Sequence, residues 1–383
     1  SQAPSVLARV VDRPLYLRLP AGSSIETWTL ALNRHPLVEY AEPDWVITPA
    51  LVRPNDPAFP EQWHLENTTY LDGPVPADLR MPQAWEITQG SSNVVVAVLD
   101  SGINARLSEF AGRLVPGYDF VNNDSDPDDD GDHGTAIAAL LGATGNNHSA
   151  IAGIDWHCKI MPVKVLTSDP DGFSSWLADG IDWAVDHGCK IINLSLAQSP
   201  QGSQTVTRSL TNAMARGVIV VSITSNEGTN TILYPGSVPE LITVGATDRQ
   251  DQRWPGSNYG PEIDLVAPGA DITALHSDGS LWSGANGTSA SAPLVSGVIA
   301  LLASLRPDLN QEQARTLLCA GADDEVGLLE EDAPGFDVFH GWGRLNAYNS
   351  LVLAQSKIRT ITRTPEGNVN LSWNSPPNGS TKH

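Results

Sequence analysis

Val94-Val95-Val96-Ala97-Val98-Leu99 runs without a polar residue into Asp100-Ser101-Gly102. A strand that faces water on one side alternates apolar and polar residues, whereas an unbroken β-branched run suits a strand buried on both faces. More runs of this kind follow at Lys159–Leu166 (KIMPVKVL), Lys190–Leu196 (KIINLSL), Gly217–Ile223 (GVIVVSI) and Leu241–Val244. Between them Trp176, Leu177, Ile181, Ala184 and Val185 recur at helical spacing after Ser174 and Ser175, either of which is placed to cap the first turn. Ala292–Leu305 is almost wholly apolar and reads as a central helix. The alternation predicts an α/β fold of three layers, a doubly wound and mostly parallel sheet with its functional groups at the carboxyl ends of the strands.

Outward from this block the pattern changes. Residues 1–51 read as a small α+β unit: Leu15-Tyr16-Leu17-Arg18-Leu19 alternates, Ser24–Arg34 suits a helix with Ser23 and Glu26 as a capping box, and Val38–Ile47 is extended. Thr48–Pro60 reads as an exposed linker. The main domain is expected over 52–355, and 356–383 as a polar tail or the opening of a β-sandwich domain. One strand there is expected at Val369, Leu371 and Trp373, ahead of Pro376-Pro377. No internal repeat is visible.

With 41% hydrophobic and 17% charged residues, 33 Gly and 28 Pro, the 383-residue chain is globular and turn-rich, which excludes disorder, coiled coil and collagen. Its net charge of −22 opposes phosphate backbones and anionic lipid, so no nucleic-acid partner is expected. The same charge fits solubility alone, binding of hard cations, or saline surroundings. Cys158, Cys189 and Cys319 follow no metal-ligand spacing and read as small buried thiols, with one disulfide left open. No uninterrupted apolar run reaches the length of a membrane span, and the start at Ser1-Gln2-Ala3-Pro4 lacks the basic and apolar regions of an export signal. A soluble chain is expected; a signal preceding Ser1 would already have been removed.

Three residues stand in chemically suggestive contexts. Asp100 ends the first strand, His133 opens the helical run of Asp132-His133-Gly134-Thr135, and Ser289 lies in Asn286-Gly287-Thr288-Ser289-Ala290-Ser291-Ala292-Pro293, directly before the apolar helix. Each alone has a bland reading: Asp100 as a turn or cap residue, His133 as a structural histidine, Ser289 as an N-cap. Together they supply a nucleophile, a base to take its proton and a carboxylate to orient the base. Their order along the chain, Asp, His, Ser, is that of subtilisin. From about Asn55 to Tyr348 the sequence resembles the subtilase family of serine endopeptidases, thermitase-type members above all. The resemblance rests on Val96–Gly102, His133-Gly134-Thr135, Val163–Leu166, Asn193–Leu196, Asn286–Pro293 and Gly341-Trp342-Gly343.

That resemblance implies roles. Asp100 would orient, His133 act as base and then acid, and Ser289 form an acyl-enzyme; Asn226 and the Ser289 amide would hold the oxyanion. Ser195, Leu196 and Ala197 would pair with an extended protein or peptide substrate. Thr224, Ser225 and Leu233 would shape a shallow first pocket for small or medium apolar side chains. Ala197 and Ser225 stand where the family usually has Gly, and Ala136 and Leu294 where many relatives have His. The resemblance implies structural Ca2+, held by Asp119, Asn122, Asp124, Asp126 and Asp128 in one loop. A second site would combine Asp56, Glu109 (usually Asp), Asn147 and the carbonyls of Thr144, Ser149 and Ile151. Residues 1–51, through Val38–Asp44, resemble an inhibitory propeptide, so a self-processing zymogen cut between Ile47 and Asn55 is expected. The enzyme is expected to be secreted and monomeric. A rival reading is a catalytically inactive scaffold of the same fold; an α/β-hydrolase esterase fails for want of a Gly-x-Ser-x-Gly elbow and on chain order.

Overall fold

The computed structural model describes the chain apart from residues 1–4, 11–12, 20–23, 44–50, 69–76, 170, 199–200, 356–357, 364–368 and 374–383. The chain divides into two compact units, Ser1–Leu51 and Val52–His383.

In the first unit β1 (Ser5–Val10), β2 (Arg13–Arg18) and β3 (Val38–Pro43) form an antiparallel sheet in the order β2-β1-β3, with α1 (Ile25–Asn33) between β2 and β3 in the chain. Asn33 ties helix to sheet, its amide donating to the Ala41 carbonyl and its oxygen accepting the Ala41 N–H, both at 2.7 Å. The helix cap is Ser24, whose hydroxyl accepts the Thr27 N–H at 3.2 Å. This corrects the expected capping box, because Thr27 and not Glu26 takes the third helical position; Ser23 and the expected extension over 44–47 lie outside the described residues.

The second unit runs α2 (Met81–Trp85), β4 (Val95–Asp100), β5 (Tyr118–Asp119), α3 (His133–Gly142), β6 (Lys159–Lys164), α4 (Ser174–Asp186), β7 (Ile191–Leu194), α5 (Gln204–Ala215), β8 (Ile219–Ile223), β9 (Ile242–Thr247) and β10 (Leu265–Pro268). A hairpin of β11 (Ile272–Leu275) and β12 (Leu281–Ala285) follows, then α6 (Thr288–Leu305), α7 (Gln311–Gly321) and α8 (Ala347–Gln355). Seven strands form one sheet in the order β10-β9-β8-β7-β4-β6-β5, and every pairing in it is parallel. The α/β fold expected from the sequence is the one observed.

Side chains alternate across each strand, so the unbroken apolar runs feed two cores. Val96, Val98, Ile191, Val221 and Ile223 pack with α3 and α6 on one face, while Ala97, Leu99, Val163, Ile192 and Val220 pack with α4 and α5 on the other. Helix α6 is the one described helix long and apolar enough to cross a membrane, yet 83% of it is buried inside the fold, which makes it the central core helix. It begins at Thr288 rather than Ala292, with Gly287 in the cap position, so Ser289 sits inside the first turn and is not an N-cap. Neither Ser174 nor Ser175 caps α4: Phe173 holds that position, and the Ser174 hydroxyl instead accepts the Gln198 amide at 2.8 Å. At the end of the chain β13 (Ile358–Arg363) pairs antiparallel with β14 (Val369–Trp373), two strands where one was expected.

Candidate active site

The carboxyl end of β4, the first turn of α3 and the first turn of α6 carry Asp100, His133 and Ser289 respectively. Asp100 is fully buried and its Oδ1 lies 2.7 Å from His133 Nδ1, while the Ser101 N–H donates to the same oxygen at 2.8 Å. A carboxylate only accepts, so Nδ1 carries the ring proton and the Nε2 lone pair is left for chemistry. Gly134 makes the approach possible. A Cβ there would stand 2.2 Å from the Gly102 carbonyl oxygen and 3.2 Å from Asp100 Cβ.

A buried network locks the two segments together. The Ser101 hydroxyl donates to Asp129 Oδ1 at 2.8 Å and accepts the Gly134 N–H at 2.9 Å, and Asp129 Oδ2 accepts the Thr135 N–H at 2.9 Å. Lys164, fully buried, donates to the Ser101 carbonyl and to Asp130 at 2.5 Å. Burial draws the His133 imidazole toward a lower pKa, but the Asp100 charge, its hydrogen bond and the field of Asp129 outweigh that and raise it above the ordinary histidine value. Reading the sequence alone missed Asp129, Ser101 and Lys164; the density of acids ahead of His133 was the available signal.

Pro293 lies within α6 and cannot donate to the carbonyl four residues back, which belongs to Ser289. The Ser195 hydroxyl fills that place, donating to the Ser289 carbonyl at 3.0 Å, and is itself held by the Asn193 amide at 3.0 Å, whose oxygen accepts the Ser296 hydroxyl at 2.9 Å. The helix irregularity thus joins the serine turn to the end of β7. Ser289 Oγ donates to the Ser195 carbonyl at 3.3 Å. Asn226, exposed beyond the end of β8, accepts the Thr288 N–H and hydroxyl on Oδ1, both at 2.9 Å. Because a main-chain N–H can only donate, this bond fixes the amide orientation and turns Nδ2, without a partner among the described residues, toward the serine turn.

His133, Ser195, Leu196, Ala197 and Ser289 line one cleft of about 570 Å³, together with Asp171, Phe173, Ser174 and Gln198. His133 and Ser289 also border a smaller cavity on the other side, closed by Ala274, Trp282 and Asn286. Thr224, Ser225 and Leu233 line neither cavity: Thr224 and Ser225 are buried at the end of β8, and Leu233 is half-buried. Ser225 adopts φ 89, the left-handed region in which glycine is at ease, which matches the residue that usually stands there.

The oxygen-rich segments separate into two cases. Asp56 and Glu109 are buried, with Asn147 donating its amide to Glu109 Oε2 at 3.1 Å and Asp56 accepting the Asn146 N–H at 2.6 Å and the Asn147 N–H at 3.5 Å. Glu109 Oε1 has no partner, and the carbonyls of Thr144, Ser149 and Ile151 accept no hydrogen bond among the described residues. Burial, and then the Asp56 charge, push the Glu109 carboxyl above its usual pKa against the pull of Ser149 and Asn147. Asn147 Oδ1 accepts the Ser149 N–H at 2.8 Å, so the unspent oxygens are Glu109 Oε1 and the three carbonyls, which beside two buried carboxylates suit a hard cation. In the Asp119–Asp128 loop several of the oxygens are engaged. Asp119 accepts the amides of Val121 and Asn122 on Oδ1 and the Asn122 side chain on Oδ2. Asp124 accepts the Asp126 N–H, and Asp128 pairs with Arg106 at 2.8 Å.

Residues 91–343 match the sequence profile described as the subtilase family. A thermophilic serine proteinase of Bacillus sp. (strain AK1) is 35% identical over 329 residues, covering 86% of this chain and 76% of that protein. Thermitase of Thermoactinomyces vulgaris is 32% identical over 298 residues, covering 78% of this chain and 99% of thermitase. Among solved structures, a protease of Pseudoalteromonas arctica PAMC 21717 superposes with a TM-score of 0.70 at 29% identity, over 79% of this chain and 100% of that one.

Proposed function

This chain belongs to the subtilase family and is a subtilisin-like serine endopeptidase, and on that premise we propose that Asp100, His133 and Ser289 are its triad and Asn226 its oxyanion donor. The observation that carries the assignment is the 2.7 Å contact between the buried Asp100 carboxylate and His133 Nδ1, at the mouth of the cleft that Ser289 lines. Ser289 Oγ leaves the Ser195 carbonyl and attacks the scissile carbonyl carbon, and His133 Nε2 takes its proton. Asp100 steadies the imidazolium, while Asn226 Nδ2 and the Ser289 N–H, in the unpaired first turn of α6, receive the negative oxygen. His133 then protonates the leaving amine, the acyl-enzyme forms, and a water deprotonated by His133 releases the second product. The Ser195–Ala197 segment presents main-chain groups to an extended substrate.

We further propose Ca2+ at Asp56, Glu109 and Asn147 with the carbonyls of Thr144, Ser149 and Ile151, where it would neutralise two buried carboxylates and favour the folded state. At the Asp119–Asp128 loop a second ion would compete with Arg106 for Asp128. Residues 1–51 we read as an inhibitory propeptide, a reading supported by their separate compact fold, and the mature enzyme as one acting outside the cell. Intact mass after incubation with Ca2+ tests these readings together. Cleavage between Ile47 and Asn55 is expected for the normal chain and not for Ser289→Ala. Equal cleavage of both would remove the case for self-processing, and failure of the normal chain to cut any peptide would favour an inactive scaffold.

A further inference from the structure

The stretch from Asp323 to Arg344 leaves the end of α7 and returns beside β10, where Arg344 bridges Val266. Its base is closed by two main-chain hydrogen bonds between those residues, each 2.8 Å. Within it, one donor atom from each of Asp332, Asp337 and His340 lies within 4.8 Å of the others. His340 is fully buried and Asp332 is 6% exposed, while Asp337 is half-buried. Yet among the described residues His340 Nε2 and Asp332 Oδ1 have no hydrogen-bond partner, a costly arrangement for buried polar atoms.

The ring has a defined polarity. His340 Nδ1 lies 3.4 Å from the Glu331 carbonyl and 3.9 Å from Asp337 Oδ1, both of which only accept, so the proton belongs on Nδ1 and a lone pair remains on Nε2, on the Asp332 side of the ring. Both carboxylates are held by main chain. Asp332 Oδ2 accepts the Gly327 N–H, and Asp337 accepts the N–H groups of Phe339 at 2.8 Å, His340 at 2.7 Å and Ala333 at 3.2 Å. The place a Gly327 Cβ would take is 2.7 Å from His340 Nε2 and 3.1 Å from Asp332 Oδ2, so the absence of a side chain there keeps the convergence of the two ligands open. The neighbouring cations are spent elsewhere: Arg344 on Asp251 and Asp323, and Arg253 on Glu331.

We propose that Asp332, Asp337 and His340 bind one borderline divalent cation, with Zn2+ as its probe, and that this ion staples the Asp323–Arg344 loop. An imidazole nitrogen among the ligands disfavours Ca2+ and Mg2+, which take oxygen, and two carboxylates with one histidine are a set that zinc accepts. The site differs in ligand chemistry from the oxygen-only group around Glu109. Through the Arg253–Glu331 pair and the Arg253 bond to the Ser257 carbonyl at 3.0 Å, the staple also steadies the segment whose Asn258 side chain holds the Glu227 and Thr229 amides beside Asn226.

The test titrates Zn2+ into full-length Ser289→Ala protein, in which self-digestion cannot blur stoichiometry, with excess Ca2+ present. One equivalent should bind, survive dialysis against Ca2+ buffer, and raise the melting temperature by several degrees at about 100 times its Kd. Asp332→Asn and His340→Gln should lose that equivalent and the shift while retaining the Ca2+ response. Should either variant fail to fold, Co2+ bound to the parent protein decides: strong visible bands of a four- or five-coordinate ion support the site. Absence of calcium-resistant zinc in the parent, retention of zinc in the folded variants, or only the weak spectrum of six-coordinate Co2+ would each overturn it.

Discussion

Gly134→Ala offers the sharpest test of how the fold sets the site. The added Cβ would stand 2.2 Å from the Gly102 carbonyl oxygen, against 3.4 Å or more for ordinary contact, so the start of α3 and the end of β4 must part by about 1 Å. Main chain lies on both sides, and no flexible side chain can yield. His133 Nδ1 and Asp100 Oδ1, now 2.7 Å apart, would then pass beyond hydrogen-bond range. A misplacement of about 1 Å in a catalytic group costs on the order of 10²-fold in rate, or about 2.7 kcal/mol. Hydrolysis of a chromogenic peptide, followed as kcat/KM alongside the melting temperature, measures both consequences. A folded variant with activity within about threefold of the parent would refute the claim that close packing at Gly134 holds the histidine to its carboxylate.

Other expectations follow from the same geometry. Asn226→Ala should lower kcat by roughly 10² to 10³ with little change in KM, the magnitude known for the equivalent donor of subtilisin itself. His133 must be neutral to act as base, so activity should fall as pH drops through a pKa raised above about 6.5; Asp129→Asn, which removes one of the charges that raise it, should move that acid limb down in a kcat/KM pH profile. Ser195→Ala would strand the Ser289 carbonyl that Pro293 already leaves unpaired, lowering stability by about 1–3 kcal/mol in denaturant melts. Chelation should lower the melting temperature of the parent, and Glu109→Gln should blunt that response, read by calorimetry with and without Ca2+.

Short-range patterns were the legible part of the sequence. The runs at Val94–Leu99, Lys190–Leu196 and Gly217–Ile223 locate strands of the parallel sheet because burial on both faces removes polar residues from them. Asp100, His133 and Ser289 stand out in the sequence because each lies at an element boundary with its own local context. Long-range contacts were hidden. Nothing near Ser195 in the chain says that its hydroxyl replaces the N–H missing from Pro293, nor that Asp129 would bridge Ser101 and Thr135. The cap of α4 was misread because two serines favour a cap by type, whereas Gln198 claims Ser174. Asp332, Asp337 and His340 passed unnoticed because their meaning depends on burial and on the space beside Gly327.

Covalent labelling distinguishes a Ser289 nucleophile activated by His133 from an ordinary serine. The enzyme would be treated with a serine-directed fluorophosphonate, digested, and mapped by mass spectrometry, beside His133→Ala. A single phosphonylated serine is expected at Ser289, formed rapidly in the parent and slowed by orders of magnitude in His133→Ala. A label on another serine, or equal labelling of the two proteins, would contradict it.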